Sequence, residues 1–312
     1  MENNHLEPTS TRNPLFSFFI VICFAFVGLL IGNFAGLIGV LPFFDYNLSA
    51  VEGFLSNPIS DESGRTPLLI VQGITSFFAF IIAPLLYIRY FERKRTEKYL
   101  FVADPILPAI ILTVIIGQTF MFLNTPVIEW NMGLQFPEFL SEFEAYAQQQ
   151  EEFLKEVTEF VTVFDTPGQF ILGMVVIAII PGIGEELLFR GLIQEKLSLL
   201  MKNPHIAIWV TGFLFGLFHF QFYGLFPRML LGVLFGYLYW WSGSLLLAMI
   251  AHFFNNGFTI LMVYLYQGEM INFDIEGTSE IPTQTVLISG ILFTTVFYYF
   301  FKIVKHRRFA NE

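Results

Sequence analysis

The chain is poor in charge and in cysteine, and both shortages exclude kinds of protein. Only 13% of its 312 residues are charged, whereas 55% are hydrophobic and the mean hydropathy is +0.63. A soluble globular domain carries about a quarter charged residues. The single cysteine, Cys23, excludes an intramolecular disulfide. It also leaves no basis for a cysteine-based metal site or a Cys-His nucleophile.

Basic charge is also scarce, since the formal net charge is −10. Acidic residues gather in the segments 43–66, 126–167 and 267–282. Nucleic-acid binding is not expected, because no basic face can neutralise phosphates. The sequence also lacks tandem repeats and low-complexity tracts. Its glycines do not form a strand-to-helix loop of the kind that binds nucleotides.

Long apolar runs, by contrast, are abundant. A membrane-spanning helix needs about 20 apolar residues, and the runs predict an all-α, polytopic membrane helix bundle of about eight spans. Residues 1–13 are polar and the first run is too long for a signal sequence, so we expect it to be retained as a span. Pro42 and Pro126 mark the predicted ends of the first and third spans. The predicted spans are 14–42, 67–90, 104–125, 168–190, 205–222, 228–241, 244–266 and 283–303.

Lysine and arginine in short loops predict the orientation of the bundle. They cluster between the second and third spans, after the fourth span and at the C-terminus. An N-in, C-in topology places all these clusters in the cytoplasm and the acidic segments outside. We therefore expect a multi-pass protein of the bacterial inner membrane. The clusters are Arg89, Arg93, Lys94, Arg95 and Lys98; Arg190, Lys196 and Lys202; and Lys302, Lys305, Arg307 and Arg308.

We expect three regions along the chain. Residues 1–166 hold three spans and an acidic segment, 167–266 form the helix core, and 267–312 hold an acidic loop, the last span and a basic tail. Helical spacing of apolar residues predicts an amphipathic helix over 137–160, either a solvated loop helix or a substrate gate. Glycines four residues apart predict close helix packing. They are the pairs Gly32/Gly36, Gly212/Gly216 and Gly232/Gly236.

Ionisable residues occur inside the apolar runs, where they are costly and mark functional sites. Glu185 and Glu186 are adjacent in the fourth span, and Glu186 can pair with Arg190 four residues later. Glu185 points about 100° away. It can therefore face the bundle interior, where a carboxylate suits general-base chemistry. Alternatively, both glutamates lie at the cytoplasmic end of the span and interact only with Arg190 and water.

Two histidines and an asparagine follow in later spans. His219 lies beside Gly216, while His252 and Asn256 share one helix face. An imidazole and an amide on one face can stabilise an oxyanion, bind a metal or only link helices. These residues can reach Glu185 only if the fourth span continues past Arg190, or if the fifth span starts deeper in the membrane or tilts.

Taken together, these motifs resemble the CPBP family of intramembrane peptidases, also called the ABI or CAAX-protease family. The resemblance covers about residues 168–265 and includes the flanking residues 181–184. The matching motifs are Glu-Glu-x-x-x-Arg at Glu185, Glu186 and Arg190, Phe-x-x-x-His at Phe215 and His219, and His-x-x-x-Asn at His252 and Asn256.

The resemblance implies an integral membrane endopeptidase related to type II CAAX prenyl proteases. By this analogy Glu185 and His219 activate a water molecule, and His252 and Asn256 stabilise the oxyanion. The residues that position the site are Glu186 and Arg190. The substrate would be a membrane-embedded or lipid-anchored peptide or protein.

Other interpretations stay open. Glu185, His219 and His252 are a candidate zinc set with an open position. The sequence lacks His-Glu-x-x-His, and asparagine is a poor zinc ligand, so we favour a water activated by glutamate without a cofactor. The chain could also be a non-catalytic membrane scaffold or a bacteriocin-immunity-type peptide-binding protein. A proton-coupled transporter is less favoured, because internal repeats and paired broken helices are missing.

Overall fold

The computed structural model describes residues 12–93, 107–272 and 281–310, and these ranges contain helices and connecting turns but no strand. The predicted all-α fold is confirmed. The helices are α1 Pro14–Val40, α2 Leu48–Ser56, α3 Glu62–Glu92, α4 Leu107–Met132, α5 Ser141–Val161, α6 Pro167–Met201, α7 Pro204–Phe218, α8 Leu225–Ser242, α9 Leu245–Gln267 and α10 Thr283–Ala310.

Within the described ranges, seven helices are long and apolar enough to cross a membrane. The protein is therefore an integral, multi-pass membrane protein. Apolar side chains such as Phe26, Phe34 and Ile291 are exposed on the outside of the bundle, as contact with lipid requires. The remaining predicted span, 205–222, is the shorter helix α7 of 15 residues. Its length of about 22 Å is less than the ~30 Å hydrocarbon core of a bilayer.

Helix α6 positions the adjacent glutamates. It runs to Met201, which confirms that the fourth span continues past Arg190. π-helical segments, Met174–Ile179 and Leu187–Ile193, lie on either side of Glu185. Such π-turns occur frequently at functional sites.

Two sequence predictions about span ends and loops are wrong. Helix α4 continues through Pro126 to Met132. Arg190 and Lys196, assigned to a loop after the fourth span, lie inside α6. Lys196 is 1% exposed and pairs with Glu92 at 2.9 Å. Lys94, Arg95 and Lys98, and the side chains of Lys305, Arg307 and Arg308, lie outside the described residues, so the N-in, C-in topology stays a prediction.

The predicted close packing at glycines is confirmed. A Cβ on Gly212 would lie 2.7 Å from Val233 Cγ2, and one on Gly232 would lie 3.0 Å from the Cα of Gly212. Helices α7 and α8 therefore pack backbone against backbone. A Cβ on Gly32 would lie 2.8 Å from the Cα of Thr75, so α1 and α3 pack in the same way.

The acidic segment forms the predicted helix, α5, which begins at Ser141. Glu151 Oε1 accepts a hydrogen bond from Gln221 Nε2 at 3.0 Å, and its Oε2 accepts one from the backbone N–H of Tyr223 at 3.2 Å. Helix α5 is thereby attached to the 219–224 connection between α7 and α8. The proposed boundaries at 166/167 and 266/267 stay predictions.

Candidate active site

Glu186 lies at the centre of a buried polar cluster. Its side chain is fully buried, and Oε1 accepts hydrogen bonds from Arg190 Nη1 at 2.7 Å and His252 Nδ1 at 2.8 Å. Arg190 Nη2 donates to the carbonyl oxygen of Gly232 at 2.9 Å. Side chains from α6 and α9 and the backbone of α8 therefore meet here. The predicted Glu186–Arg190 pair is confirmed, and the alternative of a solvated pair at the helix end is wrong.

Two phenylalanine rings enclose this cluster. The Cζ of Arg190 lies 4.6 Å from the ring centroid of Phe215 and 5.3 Å from that of Phe235. Phe235 stacks on His252 at 5.1 Å. Phe215 meets the rings of His219 and His252 edge-on, at centroid distances of 5.0 and 5.8 Å. Phe215 therefore packs against both imidazoles and the guanidinium.

The neighbours of His252 define its tautomer. Nδ1 donates to the Glu186 carboxylate, while Nε2 lies 3.3 Å from the amide nitrogen of Asn256. An amide nitrogen only donates, so Nε2 is the acceptor and Nδ1 is the donor. Asn256 Nδ2 also donates to the carbonyl oxygen of Ile177 on α6, at 2.9 Å. The shared face of His252 and Asn256 is thus directed at α6.

His219 follows the last residue of α7 and is partly buried. Its Nδ1 lies 2.8 Å from the carbonyl oxygen of Phe215. A carbonyl only accepts, so the proton is on Nδ1 and Nε2 carries a lone pair. His219 makes no hydrogen bond to another candidate residue in the described structure. It joins the cluster through the Phe215 ring.

Glu185 is buried beside Glu186 but makes different contacts. It is 8% exposed, and its Oε2 has no hydrogen-bond partner among the described residues. The Glu186 Oε2 also lacks a partner, although its Oε1 is bonded twice. Glu185 interacts electrostatically with His252, Glu186 and Arg190. Because Glu185 forms no ion pair in the described structure, its carboxylate is less committed than that of Glu186 and is available for a water or a substrate.

The depths of Glu185 and His219 agree. Counting back from Met201 at 1.5 Å per residue, Glu185 lies about 24 Å from the end of α6. His219 lies about 22 Å from the start of α7 by the same measure. Only Lys202 and Asn203 separate the two helices. The extension of α6 thus brings both residues to a similar level.

The candidate zinc ligands do not form a metal-binding group. Among the residues that the structure describes, no three His, Cys, Asp or Glu side chains are grouped to hold an ion. The Nε2 lone pair of His252 instead faces the amide nitrogen of Asn256, which is a donor. That lone pair is therefore not available to a metal in this arrangement. The set Glu185, His219 and His252 therefore does not fit zinc in this arrangement.

Polar residues beside the site lie outside the sequence motifs. Arg228 of α8 donates to the side-chain oxygen of Gln221, and it interacts electrostatically with Glu185. Asn131 of α4 donates to the carbonyl oxygen of Phe222 at 3.1 Å and accepts from the N–H of Phe226 at 3.0 Å. The sequence signal for Arg228 was its charge at the start of an apolar span, four residues before Gly232.

These helices and contacts define a polytopic membrane protein with a Glu-His-Asn cluster whose glutamates and His252 are buried. Residues 167–258 match the family described as type II CAAX prenyl endopeptidase Rce1-like. The match begins with α6, ends just beyond Asn256 and includes every candidate residue. This part of the chain is therefore an Rce1-like domain, which confirms the CPBP resemblance and suggests an intramembrane endopeptidase. No curated protein and no solved structure matches the chain.

Proposed function

We propose that the chain is an intramembrane endopeptidase and that Glu185 is its general base. The observation that carries the proposal is the contrast between the adjacent carboxylates. Glu186 is bonded through Oε1 to Arg190 and His252, whereas Glu185 makes no ion pair among the described residues and its Oε2 has no hydrogen-bond partner. Only a carboxylate that is free to accept a proton can activate a water. The Rce1-like match over the same helices supports the same chemistry.

In this mechanism a water donates one hydrogen bond to Glu185 and another to Nε2 of His219. The Nδ1 proton of His219 is held by the Phe215 carbonyl, so Nε2 is an acceptor. Glu185 takes the water proton as the oxygen attacks the peptide carbonyl carbon. The proton then passes from Glu185 to the leaving nitrogen as the carbon–nitrogen bond breaks. No step requires a metal.

Asn256 stabilises the tetrahedral intermediate, and His252 positions the Asn256 amide through Nε2, because the N–H of His252 is held by Glu186. The amide N–H of Asn256 that faces His252 Nε2 is the donor nearest to that ring, and it can turn to the oxyanion. Glu186 keeps the imidazole oriented through Nδ1. Loss of one such donor lowers kcat by about 100- to 1,000-fold. The substrate is a peptide or protein that is embedded in or anchored to the membrane.

The test is cleavage of membrane-peptide libraries by detergent-purified protein. Glu185→Gln and His219→Ala should each lower the rate by about 100-fold or more, because proton transfer contributes at least that much. His205→Ala is the matched control, since this histidine lies at the opposite end of α7 and contacts Tyr237. Equal cleavage by wild type and Glu185→Gln would remove the assigned role of Glu185, and no cleavage by wild type would favour a binding scaffold. Loss with chelator that zinc restores would overturn the metal-free mechanism.

A further inference from the structure

Arg228 lies on the face of α8 that forms the site. Gly232, four residues later, accepts the hydrogen bond from Arg190, and Phe235, seven residues later, stacks on His252. Residues at this spacing share one side of a helix. Arg228 therefore lies on the same face of α8 as the groups that contact Arg190 and His252.

The 219–224 connection orients the Arg228 guanidinium. Nη2 donates to the side-chain oxygen of Gln221, whose amide nitrogen donates to Glu151 of α5 at 3.0 Å. A Cβ at Gly224 would lie only 1.9 Å from Arg228 Nη1. Gly224 therefore leaves the space that the guanidinium fills. The connection therefore bonds Nη2 through Gln221 and packs Gly224 against Nη1.

Nη1 of Arg228 is enclosed and has no hydrogen-bond partner among the described residues. The guanidinium interacts electrostatically with Glu151 and with Glu185, and its charge also acts on His219. Arg190, by comparison, donates to Glu186 and Gly232 and is packed between phenylalanine rings. Arg228 is thus the cation beside the site that keeps an unused terminal NH₂ group.

We propose that Arg228 binds a carboxylate of the peptide substrate. The inference rests on the proposed endopeptidase function and adds a specificity-determining residue to it. A carboxylate that enters an apolar, membrane-embedded site needs a cation with free donors. Arginine suits carboxylates through its planar set of N–H groups. The carboxylate comes from one of two sources, the C-terminus of the substrate or an Asp or Glu side chain near the cleaved bond.

The test compares three peptides of one sequence, cleaved by detergent-purified protein. One has a free C-terminus, one is amidated, and one is amidated with an aspartate near the cleaved bond. Wild type should prefer the peptide that carries the correct carboxylate by about 10- to 100-fold in kcat/KM, the range for a hydrogen bond to a charged group. Arg228→Gln should abolish this preference, and Arg228→Lys should keep part of it. Arg65→Gln, which removes an arginine paired with Asp165 outside the site, is the control.

Each outcome decides the assignment. A preference for the free C-terminus identifies the terminal carboxylate, and a preference for the aspartate peptide identifies a side chain. If Arg228→Gln slows all peptides equally, Arg228 has a structural role and the proposal is wrong. Wild type that does not distinguish the peptides also overturns it. Failure of the endopeptidase function is seen separately, as the absence of cleavage of all three peptides by wild type.

Discussion

At the scale of single residues, adjacent glutamates differ because they face different neighbours. The Oε1 of Glu186 holds a guanidinium and an imidazole, whereas the Oε2 of Glu185 contacts no donor in the described structure. Removing one partner of a buried ion pair leaves an uncompensated charge and is costly. Replacing a carboxylate that makes no ion pair leaves no such charge. Stability and catalysis should therefore separate between neighbouring positions.

We expect Glu186→Gln to lower the free energy of unfolding by about 3–5 kcal/mol, because it leaves the Arg190 charge buried without its partner. Glu185→Gln should leave the free energy of unfolding nearly unchanged and abolish cleavage. Denaturant unfolding in detergent micelles measures the first quantity and peptide cleavage the second. Equal destabilisation by both changes would contradict this division of roles.

The ring of Phe215 contacts both histidines and is expected to keep them in place. Phe215→Leu should lower kcat by about 100-fold, since small displacements of catalytic groups have effects of that size. Its cost in stability should stay below about 1.5 kcal/mol, as for other swaps between large apolar residues. The matched control is Phe213→Leu, because Phe213 is exposed on the same helix. If kcat falls equally in both variants, the assigned role of Phe215 is wrong.

The sequence predicted the residues of the cluster better than their partners. Ionisable residues in apolar runs are conspicuous, so Glu185, Glu186 and the histidines could be found. Helical spacing also predicted the pair of Glu186 with Arg190. The bond from Glu186 to His252 joins residues 66 positions apart, and no local pattern encodes a contact between helices. The same limit hid Arg228 and Gln221.

At the scale of helices, glycine sets the separation of α7 and α8. A Cβ at Gly212 would lie 2.7 Å from Val233 Cγ2 and 2.9 Å from the carbonyl oxygen of Met229. Since α7 ends beside His219 and α8 carries Arg228, a wider separation would move the two sides of the site apart.

Gly212→Ala should therefore lower the free energy of unfolding by about 1–3 kcal/mol, the usual cost of overpacking, and should slow cleavage. Gly53→Ala is the control, because a Cβ there meets nothing within 4 Å. Thermal unfolding and cleavage rates of both variants check the expectation. Wild-type behaviour of Gly212→Ala would show that the helices can separate without loss.

Helix type and approximate position were predictable, because apolar runs are long. Helix ends were not predictable in places where the packing of neighbouring helices decides them. Pro126 was expected to end a helix, yet neighbouring helices can compensate a proline inside a membrane helix. The extra turns of α4 place Asn131 against the backbone of Phe222 and Phe226. That gain comes from tertiary contacts, which the sequence around Pro126 does not encode.

At the scale of the whole molecule, a buried ion pair joins α3 to α6. Lys196 lies 2.9 Å from Glu92, both side chains are almost fully buried, and Tyr87 donates to the same carboxylate at 2.6 Å. Lys196→Met should lower the free energy of unfolding by about 3–5 kcal/mol by leaving a buried charge. The double change Glu92→Gln with Lys196→Met should cost less than the sum of the single changes. Additive effects in unfolding would show that the pair is uncoupled.

The helix contacts also support a prediction about topology. Helix α5 contacts the 219–224 connection, and Gln267 at the end of α9 donates to the carbonyl oxygen of Thr162. Both connections therefore lie on the side of α5, and we expect α7 to cross the membrane despite its length. We expect both termini on the opposite, cytoplasmic side, as the basic clusters predict. Labelling of single cysteines in a Cys23→Ser background measures this. Termini on different sides would contradict it.

The contacts of the 219–224 connection indicate whether the Rce1-like domain can form its site without the rest of the chain. Asn131 and Glu151 hold this connection, and both precede the matched residues 167–258. A graft of the matched segment into another membrane protein would leave Gln221 and Phe226 without these partners. The histidine beside them would then end an unsupported helix. The earlier helices are therefore part of the working unit, although no motif marks them.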